Sequence, residues 1–419
     1  MSVQSKSSYP HADVARVLLA LAVGLGLLTA SWAALHLPPF DSYQIIDTPV
    51  YQDYGERMAA GEVPYRDFEL EYPPGALPVF WLPTIGPAEH YRSIFEILMW
   101  TCAAALLALV VRAVADRGAS PGRVLAAAVL VGLFPLLLGS VVLTRYDLWP
   151  AALTAAALAA LLSGRERLAL AVLGLAVAAK IYPLVLLPPA LVYIWRRYGS
   201  REAVAAAGAF VAVLALVVAP FALIAPEGLA DSLSRQLGRP LQIESLGSGL
   251  LLALHHTLGL SLEWASGSGS QNLTGRPAAV LAVGQGLAQA VALVLVWVGF
   301  ARGPATTERL LRFSAAALVA FVALSKVLSP QFLVWLVLLV PLVGGIRSRA
   351  ALWLTVLACA LTAVWFPARY WELVREFDPL ASWLVLVRGL TLVALLLVLT
   401  ATEREPARSR SRAPSPGRT

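Results

Sequence analysis

The sequence predicts an all-α integral membrane protein with about 12 transmembrane helices and long outer loops. Of its 419 residues, 59% are hydrophobic and only 14% are charged, and the mean hydropathy is +0.74. A soluble domain is nearer half apolar and a quarter charged. The apolar residues extend along the whole chain and the arginines form short clusters between apolar runs, so one membrane domain is expected over residues 14–402.

The predicted helices are apolar runs, each compared with the roughly 20 residues that a bilayer crossing requires. Several are shorter, which favours helical hairpins inside the bundle or a locally thinned bilayer. The runs cover residues 14–36, 93–115, 122–143, 148–162, 168–180, 182–196, 202–224, 277–300, 310–326, 331–345, 350–365 and 382–400.

Orientation follows from the short basic loops, which are enriched on the cytoplasmic side of membrane proteins. If the N-terminal segment 1–13 is cytoplasmic, every short basic loop falls on that side, as does the Arg/Ser/Pro-rich tail 403–419, whose composition is typical of disorder. The outer side of a plasma-membrane protein then receives segments 37–92, 225–276 and 366–381. The arginines assigned to the cytoplasmic side are Arg112, Arg117, Arg123, Arg165, Arg167, Arg196, Arg197, Arg201, Arg302, Arg309, Arg312, Arg347 and Arg349.

The net charge of +7 therefore indicates membrane topology rather than nucleic-acid binding, because the arginines form no stripe. Cys102 and Cys359 both lie in apolar runs, so neither a disulfide nor a metal-ligand spacing is predicted. No strand–glycine–helix unit or Walker motif indicates a nucleotide fold.

The first outer segment is the densest polar stretch, in which acids alternate with aromatic residues. Asp41 and Asp47 follow the first helix closely, and Tyr51, Tyr65 and Tyr72 lie further along. One interpretation is a solvated acidic loop. The other is a sugar site, because a carboxylate near the membrane can act as a general base and flat rings stack on the apolar faces of sugars.

Three acids of this segment alternate along the chain. Asp67, Glu69 and Glu71 would share one face of an extended segment. They could bind a divalent cation, but hydrogen bonds to an acceptor or a pair with Arg66 are the favoured interpretation.

Three basic residues interrupt apolar runs at the outer ends of predicted helices. Arg145, Lys180 and Lys326 are each followed within a few residues by proline, which disfavours helix at the preceding residue, so each marks a helix end. A favourable helix dipole, snorkelling or an Arg145–Asp147 pair would explain them without function. Their recurrence at one depth favours a shared anionic ligand, such as the phosphate of a lipid carrier.

The second outer segment contains Arg235, Arg239 and Glu244 with an apolar stripe, which predicts an amphipathic helix at the membrane interface. His255 and His256 follow it. They could move a proton or contact phosphate, and an interfacial histidine without chemistry is equally compatible with the pattern.

These motifs resemble a known family. The stretches Asp47–Tyr51 and Gly61–Gly75, and the later segments Arg145–Pro150, Lys180–Pro183 and Ser329–Gln331, are similar to actinobacterial mannosyltransferases that use polyprenyl-phosphate-mannose. Those enzymes form glycosyltransferase family 87, with domain of unknown function 2029, in the glycosyltransferase C (GT-C) superfamily. The resemblance extends over nearly the whole membrane part.

The resemblance implies an inverting transfer of a sugar, mannose first, from a polyprenyl phosphate to an envelope lipid or glycan on the outer face. It implies that a carboxylate is the base, Asp47 first and Asp41 second, and that no cofactor is needed, with a divalent metal possible but not required. Implied phosphate-binding residues are Arg145, Lys180, Lys326 and His255. Implied acceptor-binding residues are Tyr51, Tyr65, Asp67, Glu69, Glu71 and Tyr72.

Other functions are compatible with the same pattern. A lipid-linked sugar transporter or flippase shares the helix number and the intramembrane charges, but it places its key residues near the bilayer midplane, often in repeated halves. A non-catalytic scaffold would not need an acidic loop opposite three basic turns. Within the transferases, a polyprenyl-phosphate arabinosyltransferase is the alternative, and the acceptor could be a phosphatidylinositol mannoside or a lipoglycan.

Overall fold

A computed structural model describes residues 11–42 and 44–401, so the predicted N-terminal segment (apart from residues 11–13) and the C-terminal tail lie outside the described residues. The described part is mostly helical. Its α-helices are α1 His11–Ala34, α2 Thr48–Ala59, α3 Leu77–Trp81, α4 Tyr91–Ala115, α5 Pro121–Leu138, α6 Val141–Thr144, α7 Leu148–Leu162, α8 Glu166–Ala179, α9 Leu187–Tyr198, α10 Ser200–Ile224, α11 Pro226–Leu237, α12 Leu246–Leu258, α13 Gly275–Ala301, α14 Thr307–Ala323, α15 Leu333–Leu339, α16 Ser348–Trp365, α17 Tyr370–Glu376 and α18 Pro379–Thr400.

Three short strands and six 3-10 turns complete the described part. The strands are β1 Leu241–Gln242, β2 Trp264–Gly267 and β3 Ser270–Leu273, which form an antiparallel sheet in the order β1-β3-β2. The 3-10 turns are Pro74–Ala76, Leu82–Ile85, Ala88–His90, Tyr182–Leu186, Pro330–Phe332 and Val340–Leu342.

Each of the twelve predicted runs contains helix, but seven helical segments of the described residues are long and apolar enough to cross a membrane. These are Val14–Ala34, Ala88–Ala115, Pro121–Leu138, Ser200–Ile224, Gly275–Ala301, Ser348–Trp365 and Pro379–Thr400. The chain is therefore a multi-pass membrane protein, and twelve crossings remain a prediction. The run predicted over 122–143 is interrupted, because Gly139 at φ +71° separates α5 from α6.

The helices differ in length in a way that shapes the bundle. Helices α10 and α13 have 25 and 27 residues, whereas α7 and α8 have 15 and 14. At 1.5 Å per residue the long pair reaches ~40 Å and the short pair ~22 Å. The short helices are therefore little more than half as long as the long ones.

The opposite end, here called the basic end, is held by arginines that cap helix termini. Arg117 donates to the carbonyl of Leu342 at 2.7 Å, and Arg347 donates to that of Ala401 at 2.7 Å. Cations are favoured at helix C-termini by the dipole and by the free carbonyls. Other arginines with such contacts are Arg123, Arg196 and Arg312. These contacts bring predicted basic loops together, and the cytoplasmic location of this end remains a prediction.

The second outer segment returns into the bundle at the other end, here called the site end. The predicted amphipathic helix is present as α11, and α12 then packs against α18. A Cβ at Gly249 would lie 2.9 Å from Leu386 Cα, and one at Gly389 would lie 2.8 Å from a methyl of Leu246. The first turn of α12 therefore lies beside Gly389, ten residues into α18, and the residues just before it are re-entrant.

Candidate active site

Four charged side chains at the site end form two ion pairs, here called the paired cluster. Asp47 precedes α2, Arg145 and Asp147 lie in the turn between α6 and α7, and Lys180 follows α8. Arg145 Nη1 contacts Asp47 Oδ2, and Lys180 Nζ donates to Asp147 Oδ1 at 2.8 Å. Three segments that are distant in sequence thus meet at one point, where charges of both signs can act on one substrate.

Helix termination places the basic residues of this cluster, as the prolines predict. Arg145 follows the last residue of α6 with φ −118° and ψ 142°, and Lys180 follows α8 with φ −161° and ψ 141°. Lys326 also lies beyond the end of its helix, α14. The prediction that the three basic residues mark helix ends is confirmed.

A glycine brings the first outer segment onto this surface. An added Cβ at Gly75 would lie 2.5 Å from the backbone of Ala178 and Ala179, so only glycine permits this approach. Trp149 Nε1 donates to the Gly75 carbonyl at 3.0 Å. The acidic loop is therefore fastened to the end of α8, immediately before Lys180.

The two carboxylates of the paired cluster have different environments. Asp147 is 2% exposed and also accepts from Trp335 Nε1 at 3.0 Å. The side chain of Asp47 is 23% exposed and accepts from the Tyr51 hydroxyl at 3.4 Å. Asp147 is fixed as a buried counter-ion, whereas Asp47 remains accessible to a substrate. Asp41, the second candidate base, lies in an exposed turn and accepts from Ser42 Oγ at 3.2 Å.

Two predicted acceptor residues prove to be buried. Tyr51 is 1% exposed and stacks on Phe80 with ring centroids 4.5 Å apart. Tyr65 is 5% exposed, and its hydroxyl donates to the Tyr72 carbonyl at 2.5 Å. The Tyr51 ring therefore lies beside Asp47, with half-buried Tyr72 against its edge, whereas Tyr65 packs against Phe221 in a separate apolar cluster.

The exposure of the side chains alternates along residues 67–71, as predicted. Asp67 and Glu69 are exposed and Glu71 is half-buried, whereas the two residues between them are buried. Asp67 pairs with Arg66 at 2.8 Å, which lowers the pKa of its carboxyl to about 2. Glu69 pairs with Arg235 at 2.5 Å. The three acids thus have separate partners, and no group of three or more His, Cys, Asp or Glu within 11–42 and 44–401 could hold a metal ion.

Two predicted phosphate-binding residues lie away from the paired cluster. Lys326 Nζ donates to the Leu237 carbonyl at 2.9 Å, at the C-terminus of α11. His255 Nδ1 lies 2.7 Å from the Leu260 carbonyl, and its ring packs against Phe377. Both side chains are therefore engaged by local carbonyls, and their role in phosphate binding remains a prediction.

A second group of polar residues lies deeper and was not singled out from the sequence. Glu244, in the re-entrant turn before α12, is 2% exposed, and Arg388 of α18 is fully buried. Arg388 Nη2 donates to the Glu244 backbone carbonyl. Burial raises the pKa of the Glu244 carboxyl to about 8, against the lowering effect of Arg388, Arg145 and Arg239. Arg388 interrupts an apolar run, which was a readable signal; the position of Glu244 depends on long-range packing.

Comparison with known families gives a match over the region that contains the paired cluster's basic residues. The model described as glycosyltransferase family 87 matches residues 70–330, which is more than half of the chain. The matched region contains Arg145, Asp147, Lys180 and Glu244, and it ends before α18.

Proposed function

This chain belongs to glycosyltransferase family 87, and from that premise we propose that it transfers mannose from a polyprenyl phosphate to an envelope lipid or glycan, with inversion at the anomeric carbon. The chain is a membrane-embedded glycosyltransferase; the sugar, the lipid donor, the acceptor and the outer face belong to the proposal. The observation that carries it is the accessible carboxylate of Asp47 in contact with the Arg145 guanidinium. The proposed base and the proposed phosphate-binding cation are thereby neighbours.

The length of the helices supports a donor that enters from the bilayer. The paired cluster lies at the ends of the short helices α7 and α8, and the longer helices α10 and α13 have apolar outer faces. Leu216 and Leu223 of α10 and Leu287 of α13 are largely exposed. A prenyl chain could lie on such surfaces while its phosphate reaches the cluster, whereas a water-soluble nucleotide sugar would gain nothing from them.

In the proposed reaction the acceptor hydroxyl oxygen attacks the anomeric carbon while Asp47 takes the hydroxyl proton. The bond from that carbon to the phosphate oxygen breaks, and its electron pair leaves with the polyprenyl phosphate. A positioned base of this kind contributes about 10²–10⁴-fold. Arg145 and Lys180 would stabilise the charge that develops on the leaving phosphate.

The ion pair of the resting site has a place in this reaction. An arriving phosphate competes with Asp47 for Arg145, because both are anions within reach of one guanidinium. Transfer of Arg145 to the phosphate would free the Asp47 carboxylate to accept a proton. Binding of the donor phosphate would thus also free the base.

The acceptor would bind at the exposed edge of the first outer segment. Glu69 and Glu71 offer carboxylate oxygens there, and Tyr72 offers a ring that lies edge-on to Tyr51. Asp67 is already engaged by Arg66 and by the Val63 backbone N–H at 2.7 Å, so we assign it to stabilisation of the loop.

The decisive experiment is a transfer assay on detergent-purified protein with radiolabelled polyprenyl-phosphate-mannose and envelope glycolipid acceptors. We expect label to move from this donor and not from a nucleotide-mannose control. Asp47→Asn should lower kcat at least about 10²-fold without changing the unfolding temperature by more than a few degrees, while Asp41→Asn stays near wild type.

Two results would contradict this proposal. Full activity of Asp47→Asn with loss in Asp41→Asn would transfer the role of base to Asp41. No transfer from any prenyl-phosphate sugar over a panel of acceptors would favour a transporter of lipid-linked sugars instead.

A further inference from the structure

A cluster of buried polar groups beside the paired cluster has hydrogen-bonding capacity that is incompletely used. We call it the Glu244 cluster, formed by Gln242 of β1, Glu244 of the turn before α12, Trp365 of α16 and Arg388 of α18. Gln242, Glu244 and Arg388 are each at most 2% exposed, and Trp365 is fully buried. Buried side-chain atoms without a hydrogen-bond partner in the described part of the chain include Gln242 Oε1, Glu244 Oε1, Trp365 Nε1 and both Nε and Nη1 of Arg388.

Such a group of atoms is unusual, since buried polar atoms in folded proteins nearly always have partners. Arg388 donates to the backbone carbonyl of Glu244 rather than to its carboxylate, so its charge remains largely uncompensated. Gln242 Nε2 donates to the Glu244 carboxyl and to Ser329 Oγ. A buried cation with free N–H groups is costly unless an anion completes it.

The Glu244 cluster adjoins the paired cluster already described. The charges of Arg145 and Arg239 both act on Glu244, and Arg145 also contacts Asp47. In each of these arginines the buried Nε has no partner among the described residues. Guanidinium N–H groups from three segments thus surround one carboxyl group.

We propose that the Glu244 cluster, together with Arg145 and Arg239, binds the phosphate group of the prenyl-phosphate donor. Arg388 donates N–H groups to the phosphate, and Glu244 in its neutral acid form donates its O–H. The inference rests on the proposed function, because that function supplies the phosphate. A phosphate has three acceptor oxygens, which suits donors that converge from different directions.

The protonation of Glu244 gives this site a distinctive pH dependence. The charged groups that face it are Arg388 from α18, Arg145 from the turn before α7 and Arg239 from its own segment, with Tyr370 of α17 nearby. With a pKa of about 8, the carboxyl is neutral below that pH and ionises above it. The ionised form repels phosphate, so affinity should fall as pH rises. The phosphate itself is already a dianion above about pH 7.

The test is direct binding of farnesyl monophosphate to detergent-purified full-length protein, measured by titration calorimetry between about pH 7 and pH 9. Farnesol is the uncharged control. We expect wild-type affinity to fall about tenfold over this range, because about a tenth of Glu244 remains protonated one unit above its pKa. Glu244→Gln should be independent of pH, since its amide still donates, and Glu244→Ala should bind weakly at both ends.

Arg388→Gln should weaken binding at least tenfold, whereas Arg349→Gln at the basic end is the matched control and should bind as wild type. Should Arg388→Gln not fold, the pH dependence of Glu244→Gln decides alone. A flat wild-type profile, or the same slope in Glu244→Gln, would overturn the proposal. Binding that follows these expectations in a protein without transfer activity would keep the phosphate site and refute the proposed reaction.

Discussion

Arginine has opposite roles at the two ends of this bundle. At the basic end, arginines donate to backbone carbonyls at helix C-termini, as Arg117 does to Leu342. At the site end, Arg145 contacts the carboxylate of Asp47, and Arg388 lies buried with free N–H groups. One residue type thus stabilises helix ends in one place and prepares an anion site in the other. A carboxylate partner distinguishes Arg145, and complete burial distinguishes Arg388, from Arg117 at the basic end.

The largest expected effect tests the buried pair of the site end. Asp147→Asn should destabilise the protein by about 3–5 kcal/mol, because it leaves Lys180 buried without a counter-charge. The double variant Asp147→Asn/Lys180→Met should recover part of that loss, since it removes both charges. Urea or thermal unfolding in detergent measures both. Equal stability of wild type and Asp147→Asn would show that this pair is not an interior ion pair.

The second prediction sets one arginine from each end against the other. Arg145→Gln should lower kcat/KM for the donor about 10²–10³-fold, as removal of one charge-stabilising donor does in other active sites. Arg117→Gln removes a cap at the basic end and should leave kcat/KM within about twofold while it lowers the unfolding temperature. Initial rates over a series of donor concentrations measure both variants. Similar kinetic losses in the two variants would mean that the ends do not differ in function.

These contrasts also show what the sequence could reveal. The helical runs were readable because lipid-facing helices such as α10 and α13 are apolar nearly throughout, and the prolines located Arg145 and Lys180 at helix ends. The partners of those cations could not be read, because the contacts join segments far apart in the chain. The position of Glu244 depends on the close packing of Gly249 against Leu386, which no local periodicity indicates.

Sequence reasoning also gave some residues roles that local contacts do not favour. Tyr51 and Tyr65 were expected to meet an acceptor, yet both are buried. An aromatic residue beside acids has the same pattern whether its ring faces a sugar or a neighbouring ring. Only the stacking of Tyr51 on Phe80 distinguishes the two.

The smallest expected effect concerns the exposed edge of the site end. Glu69 is 83% exposed at its side chain and pairs with Arg235, which is 45% exposed. Such a surface pair contributes at most about 1 kcal/mol, so Glu69→Gln should leave the unfolding temperature nearly unchanged. If Glu69 accepts from the acceptor hydroxyls, the acceptor KM should rise about tenfold with donor KM unaltered, as for the loss of one hydrogen bond to a charged group. Glu62→Gln likewise removes the carboxylate partner of an arginine, Arg57, at a half-exposed position and is the matched control. Unchanged acceptor KM in Glu69→Gln would place the acceptor nearer Glu71 and Tyr72, closer to the paired cluster.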